Sequence, residues 1–291
     1  MLHKISNEYA SAEIDSFGAE LKSYKDRSGD EYVWQPFGEC WKGTSPILFP
    51  IVGRLRNGKA IIDGAEYSMD IHGFAKDMEF NVESKDESSI TFSLVYSSET
   101  LKMYPYKFKF YATFALDKSK LITTYEVENL DDRQMMFGIG GHTGFKCPME
   151  ESYTFEDYVL EFSHNETADC PYVDGGMILV NHRRNILNNS NTIKLTHSLF
   201  SNDALIFDSI KSKEVKLYNQ KTGKGIISTF YDFSYVAFWT QSEMDSPYIC
   251  IEPWNGMGYC EDESDEFAKK RGLIKLDKGK KYSAKFDFDF I

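Results

Sequence analysis

Residues 106–116 read YKFKFYATFAL and, after the polar stretch 117–120 (DKSK), residues 121–127 read LITTYEV. In the first run Tyr106, Phe108, Phe110, Ala112, Phe114 and Leu116 fall on even positions, and Lys107 and Lys109 open the odd ones. A period of two is the signature of a strand with one buried face; a helix would bring apolar residues together every three or four positions. The second run alternates again through Leu121, Thr123, Tyr125 and Val127. Two such runs joined by a short polar connection predict an antiparallel hairpin. Residues 282–290 repeat the pattern, with Tyr282, Ala284, Phe286, Phe288 and Phe290 on one face and Lys285, Asp287 and Asp289 on the other. Weaker alternation occurs at 9–14, 79–84, 89–96, 214–218 and 235–239.

Helical signals are confined to two places. Residues 96–103 (YSSETLKM) predict a short helix stopped by Pro105, and 264–271 (SDEFAKKR) a second, with Ser264 as cap and Gly272 beyond its end. The expectation is an all-β antiparallel protein, a large two-sheet sandwich, with a barrel left open by periodicity alone. Nothing in the chain has the composition of a linker and no internal repeat is evident, so residues 1–291 are expected to form one domain.

The charge balance narrows the partners. Lys and Arg number 33 against 45 Asp and Glu, a net charge of −12. Nucleic acid and anionic membrane surfaces are disfavoured, because both are bound largely through phosphate neutralisation. The acidic stretch 261–266 (EDESDE) reads as a solvated surface. The N-terminus lacks a signal-peptide core, and the longest apolar run, 46–52 (PILFPIV), is too short to span a bilayer. A cytoplasmic protein is the expectation. The five cysteines, Cys40, Cys147, Cys170, Cys250 and Cys260, are scattered without a CxxC pair, so neither a disulfide framework nor a thiolate zinc site is expected.

Several polar residues stand where the pattern would not put them. In 248–256 (YICIEPWNG) an apolar strand ends on Glu252, followed by Pro253 and Trp254. Proline cannot donate to a central ladder, so Pro253 is expected to mark a strand end or an edge and Glu252 to sit at the lip of a sheet. An ordinary surface glutamate is the plain alternative. In 138–148 (GIGGHTGFKCP) His142 lies among Gly138, Gly140, Gly141 and Gly144, a run that permits close approach to backbone. It is not a phosphate loop, for no helix of useful length and no Lys–Ser/Thr pair follows. His72 in IHGF, Arg54 in PILFPIVGRLRNG and Asp203 in SNDALIF complete the set. A metal site from His72, His142, Asp203 and Glu252 has no local ligand spacing behind it. There is no GxSxG elbow for a serine nucleophile; a glycoside hydrolase or lyase needs two carboxylates across one bond, to which Glu252 and Asp203 could be assigned, though nothing in the sequence fixes their separation. Proton transfer, one group accepting while the other donates, makes the best use of a histidine and a glutamate.

Taken in order, YASAEIDSFGAELKSYKD, FPIVGRLRNG, HGFAKD, GGHTGF, NDALIF, FWTQ and CIEPWNG resemble the aldose 1-epimerase (galactose mutarotase-like) family, in its LacX-type branch. The resemblance implies a β-supersandwich with an open sugar cleft and a soluble isomerase that acts on a small sugar without cofactor or metal; oligomeric state does not follow from it. It assigns Glu252 as base and His142 as acid, with Arg54, His72 and Asp203 holding sugar hydroxyls and Trp239 lying against the ring. Acid and base are expected to converge on opposite sides of the anomeric centre. The chain departs from the galactose mutarotase pattern at two places. HTGFKCP replaces an aromatic-rich continuation after the acid, and Pro-Trp replaces a Thr-Gln pair after the base. Galactose, glucose, a phosphorylated hexose and a modified sugar all stay open, as does a non-catalytic sugar-binding role. A phosphate would call for further cations, for which Arg56 and Lys76 are the nearest.

Overall fold

A computed structural model describes residues 1–291. Its largest sheet has nine antiparallel strands, and the hairpin read from the sequence lies within it. Phe108–Asp117 pairs with Lys120–Asn129 through a connection of two residues, Lys118 and Ser119, and Lys120–Asn129 pairs in turn with Lys281–Phe290. The even positions Phe108 to Leu116 are buried, as are Leu121, Thr123, Tyr125 and Val127 opposite them. Beyond Lys281–Phe290 the sheet continues through Gly225–Thr229 and Glu214–Asn219 to the long hairpin Tyr158–Asp174 and Met177–Lys194. At the other edge lie Ser89–Val95 and Asn81–Lys85.

A smaller sheet covers one face of the large one. Its order is Leu205–Phe207, Tyr235–Trp239, Tyr248–Asn255, then Ile139–Gly141 and Ile47–Leu48, with Thr143–Lys146 also on Tyr248–Asn255. Between the sheets runs a core of 65 buried residues. Phe145 meets Phe288 with ring centroids 4.7 Å apart, and Phe162 meets Phe238 at 5.9 Å. The fold is therefore an all-β antiparallel sandwich. No helix is long and apolar enough to cross a membrane. All five cysteines are buried and unpaired.

Three expectations need correction. Pro253 neither ends a strand nor lies at an edge: Tyr248–Asn255 passes through it and is central, paired with Tyr235–Trp239 on one side and with the 139–146 segment on the other. The proline is tolerated because its missing N–H faces a gap. The Pro253 carbonyl points towards Gly140, so its nitrogen faces the same neighbour, and that ladder is interrupted at His142. Glu252 thus lies mid-sheet and is 2% exposed.

Residues 264–271 form only a 3-10 turn, Phe267–Lys269, preceded by Glu266, whose side chain does not cap it, and Ser264 lies outside it. The local helix loses to tertiary bonds. Glu263 accepts from the Arg271 N–H at 2.7 Å and pairs with Lys270 Nζ at 3.2 Å, while Phe267 is buried. The stretch 261–266 is accordingly more than a solvated surface. Glu263 is almost wholly shielded, and Glu261 Oε1 accepts from the Asn181 N–H at 2.8 Å. The helix expected near 96–103 does form, as Ser98–Met103, with Ser97 as cap.

Candidate active site

The outer face of the smaller sheet is concave and holds a cleft of about 960 Å³. Alternation along the central strand sends Ile249 and Ile251 into the core and leaves Cys250, Glu252 and Trp254 on the cleft side. Thr143 pairs with Ile251 and Gly140 with Trp254, so the same register sets His142 opposite Glu252. Cross-strand neighbours on one face touch: His142 Nε2 lies 3.3 Å from Glu252 Oε1. On the other flank Glu252 faces Ala237, whose small side chain leaves it room.

The glycines around His142 make space for indoles. A methyl group on Gly140 would lie 2.8 Å from Trp254 Cδ1, and one on Gly144 would lie 2.9 Å from Trp41 Cζ3. Trp41 is carried by a loop tied to this strand: Gly144 N–H donates to the Thr44 carbonyl at 2.8 Å, and Trp34 Nε1–H to the Trp41 carbonyl at 3.0 Å. Trp41 lies over the His142 imidazole at 4.9 Å and 31°, while Trp239 meets it at 5.8 Å and 75°. The two indoles stand almost perpendicular, at 84°, and form a corner above the pair.

The remaining residues singled out from the sequence line the same cleft. Backbone at His72 and Asp203 is left-handed, with φ of 67° and 71°, uncommon for residues with a side chain and most often met where geometry is imposed by surroundings. His72 Nδ1 accepts the Gly53 N–H at 3.1 Å, which leaves Nε2 to carry the ring proton of the neutral imidazole. The His72 N–H donates back to the Gly53 carbonyl at 2.8 Å, so this turn and Arg54 are fastened together. The Arg54 side chain is clasped by the hairpin tip, where a methyl group on Gly176 would lie 2.6 Å from Arg54 Cδ. Its guanidinium has no hydrogen-bond or ion-pair partner. Lys76 lines the cleft beside it and pairs with Asp77. Arg56 does not line the cleft; its Nη2 donates to the Glu263 carbonyl at 2.5 Å and its Nε lies 3.5 Å from Asp265.

Burial dominates the electrostatics. It pushes His142 down to about 4 and holds Glu252 well above the usual carboxylate range, with the charge of Asp203 adding to the second effect. Both shifts favour the uncharged forms, imidazole and carboxylic acid, over the charged ones. His72 is kept neutral by burial and then by the neighbouring His142. Asp203 is raised by burial, against the pull of Arg54. Thr240 Oγ1, Gln241 Oε1 and His142 Nδ1 are buried without partners; Trp254 Nε1 is buried too and makes no well-formed hydrogen bond, but is near enough to Glu252 to favour its charged form, and all four residues line the cleft.

The structure thus brings together all six residues named from the sequence. His142 and Glu252 stand side by side at one register position of the sheet, 3.3 Å apart. Trp41, Thr240 and Gln241 were not singled out from the sequence, and Trp254 only as the indole that flanks Glu252. Trp254 had a signal in its position two after Glu252, on the same strand face; Trp41 had none, since its loop reaches the site only through tertiary contacts.

An antiparallel sandwich with a histidine–glutamate pair in an open, indole-lined cleft defines a class of fold, and comparison with known proteins identifies the family. The model of the Aldose 1-epimerase family matches residues 1–289, and the chain belongs to that family. It is 36% identical over 284 residues to the plasmid-borne protein LacX of Lactococcus lactis subsp. lactis, with 95% of each chain covered, and 37% identical to the chromosomal form. Among solved structures it is similar to a galactose mutarotase related enzyme from Lactobacillus acidophilus. The TM-score there is 0.96 and the identity 33%, over 100% of this chain and 97% of that one. A galactose mutarotase-like protein from Lactobacillus casei ATCC 334 gives a TM-score of 0.92 at 27% identity, with both chains covered in full. The fold is galactose mutarotase-like.

Proposed function

We propose that this chain is a sugar mutarotase that interconverts the α and β anomers of an aldohexose by general acid–base opening of the hemiacetal ring. The observation that carries the reading is the His142–Glu252 pair, 3.3 Å apart and buried at the floor of the cleft. Ring opening removes a proton from O1 and delivers one to O5, as the C1–O5 bond breaks and C1=O1 forms. The two oxygens share one carbon, so an acid and a base standing side by side can address both. Glu252 takes the first proton and His142 supplies the second. The open aldehyde rotates about C1–C2 and closes on its other face, which returns both protons.

The pair holds one proton before and after the cycle. Burial favours the form with that proton on Glu252; a shift across the 3.3 Å contact gives the carboxylate–imidazolium form that the reaction uses. Hydroxyls of an entering sugar offer the carboxylate the hydrogen bonds that desolvation withholds. Acid and base each contribute about 10²–10⁴-fold in such chemistry. Apolar C–H faces of the sugar suit the corner of Trp41 and Trp239. The Nε2–H of His72, the free guanidinium of Arg54 and the carboxylate of Asp203 suit its hydroxyls.

An uncharged hexose fits this cleft better than its 6-phosphate. Lys76 is already engaged by Asp77, which leaves Arg54 as the free cation, while Asp174, Asp203 and Glu243 line the same cleft. The test is anomer exchange, followed by polarimetry or NMR, on freshly dissolved α-glucose, α-galactose and glucose 6-phosphate. Acceleration of a free hexose above buffer supports the reading. Saturable binding without exchange would make the chain a carbohydrate-binding protein, and acceleration of the phosphate alone would overturn the preference for an uncharged sugar.

A further inference from the structure

We propose that His142, Cys250 and Glu252 form a three-ligand site for a soft divalent cation such as Zn²⁺, and that an ion held there blocks the acid–base pair. The second half rests on the mutarotase reading; the first does not. Cys250 stands two residues before Glu252 on the same face of the central strand, and the position across from it is Gly144, which has no side chain. One nitrogen, one sulfur and one carboxylate oxygen from the three residues lie within 4.8 Å of one another, and no other three such side chains come as close. Zinc takes cysteine, histidine and carboxylate together, tetrahedrally, and an open fourth position is the mark of its reactive sites. Here His142 and Glu252 line the cleft, so the fourth position faces incoming solvent or sugar.

Charge balance favours the ion. A thiolate and a carboxylate cancel a divalent charge, and neutral imidazole adds none, so the buried cluster with its ion is neutral overall. Binding releases two protons to solvent, one from the thiol and one from the carboxyl, and involves no change of oxidation state. Cys250 is otherwise a small buried group packed near Trp34 and Tyr248. As a mere filler it would leave metal sensitivity unchanged on substitution.

The experiment uses the purified full chain and two cations. Titration with Co²⁺ is expected to saturate at one equivalent with a near-ultraviolet thiolate-to-cobalt charge-transfer band. Cys250→Ser should lose the band and weaken binding at least about 10–100-fold, the range that loss of even an outer-shell partner produces. Zn²⁺ should abolish anomer exchange by the native chain, with recovery on EDTA, whereas Cys250→Ser should keep its basal rate and resist the metal. Should the serine variant fold poorly, Cys250→Ala repeats the test with an apolar side chain. No charge-transfer band, or equal cobalt affinity in both variants, overturns the site. A cobalt site of the expected kind with exchange untouched by Zn²⁺ overturns the blocking claim. If the cobalt site is found but no sugar is turned over at all, the metal site stands and the mutarotase reading fails.

Discussion

Gly140→Ala probes how tightly the floor of the cleft is built. The added methyl group would lie 2.7 Å from the Pro253 carbonyl oxygen and 2.8 Å from Trp254 Cδ1. The first is backbone of a central strand and the second belongs to an indole only 5% exposed, so neither can move aside freely. Overpacking of this kind costs about 1–3 kcal/mol. Loss of glycine's extra freedom in the unfolded chain returns about 0.4–1 kcal/mol. A net loss of about 1–2 kcal/mol follows, which in a chain near this size lowers Tm by about 2–8 °C. Function should suffer more than stability, because the displaced carbonyl adjoins Glu252 and a misplacement of about 1 Å can cost about 10²-fold in rate.

Gly141→Ala is the control. Its methyl group would meet Phe286 Cζ at 2.8 Å, inside the core and away from the cleft. Calorimetry should show comparable losses of Tm for the two variants, and anomer exchange a far larger loss for Gly140→Ala. If Gly140→Ala matched the parent in both, or if Gly141→Ala slowed exchange equally, the assignment of faces would be wrong.

Other outcomes follow from the same geometry. The pair works while it holds one proton, so on the acid side kcat/KM should fall only as a second proton binds near the depressed value of His142, about 4. An acid limb at the ordinary histidine value of 6.5 would contradict the burial argument. Trp254→Phe keeps a ring against Gly140 but deletes an indole N–H that favours the charged form of Glu252, so the alkaline limb should move to higher pH. His72→Asn accepts the left-handed backbone and removes one neutral donor. A loss of about 0.5–1.5 kcal/mol should appear as a rise in KM of about 2–12-fold with kcat little changed; a fall in kcat beyond that range would give His72 a chemical role.

How far the sequence could be read depended on how local the cause was. Alternation in Phe108–Asp117, Lys120–Asn129 and Lys281–Phe290 is a local property, and it located the centre of the large sheet. Tyr158–Asp174 and Met177–Lys194, 17 and 18 residues long, escaped notice. Their pairing slips between Glu161 and Glu166, between Glu166 and Thr167, between Ala168 and Asp169 and again between Pro171 and Tyr172, and each slip resets the period. Pro253 misled for a related reason: a general rule about donors gave way to a gap in one neighbouring ladder. The acid, base and sugar-holding candidates were found because charged or imidazole side chains beside glycine or proline break a pattern. Trp41 breaks none. It reaches His142 only because Gly144 across the sheet, and Gly43 beside it, leave room for its ring.

The central claim is that His142 and Glu252 together open a hemiacetal. The most direct measurement is exchange NMR between the anomers of a free hexose, with the native chain, His142→Asn and Glu252→Gln, each at a sugar concentration where binding is saturated. The native chain should carry magnetisation between anomers well above the buffer rate, and each variant should lose about 10²–10⁴-fold while still binding sugar. Exchange at the native rate in either variant, or none above buffer with the native chain on any common hexose, would contradict it.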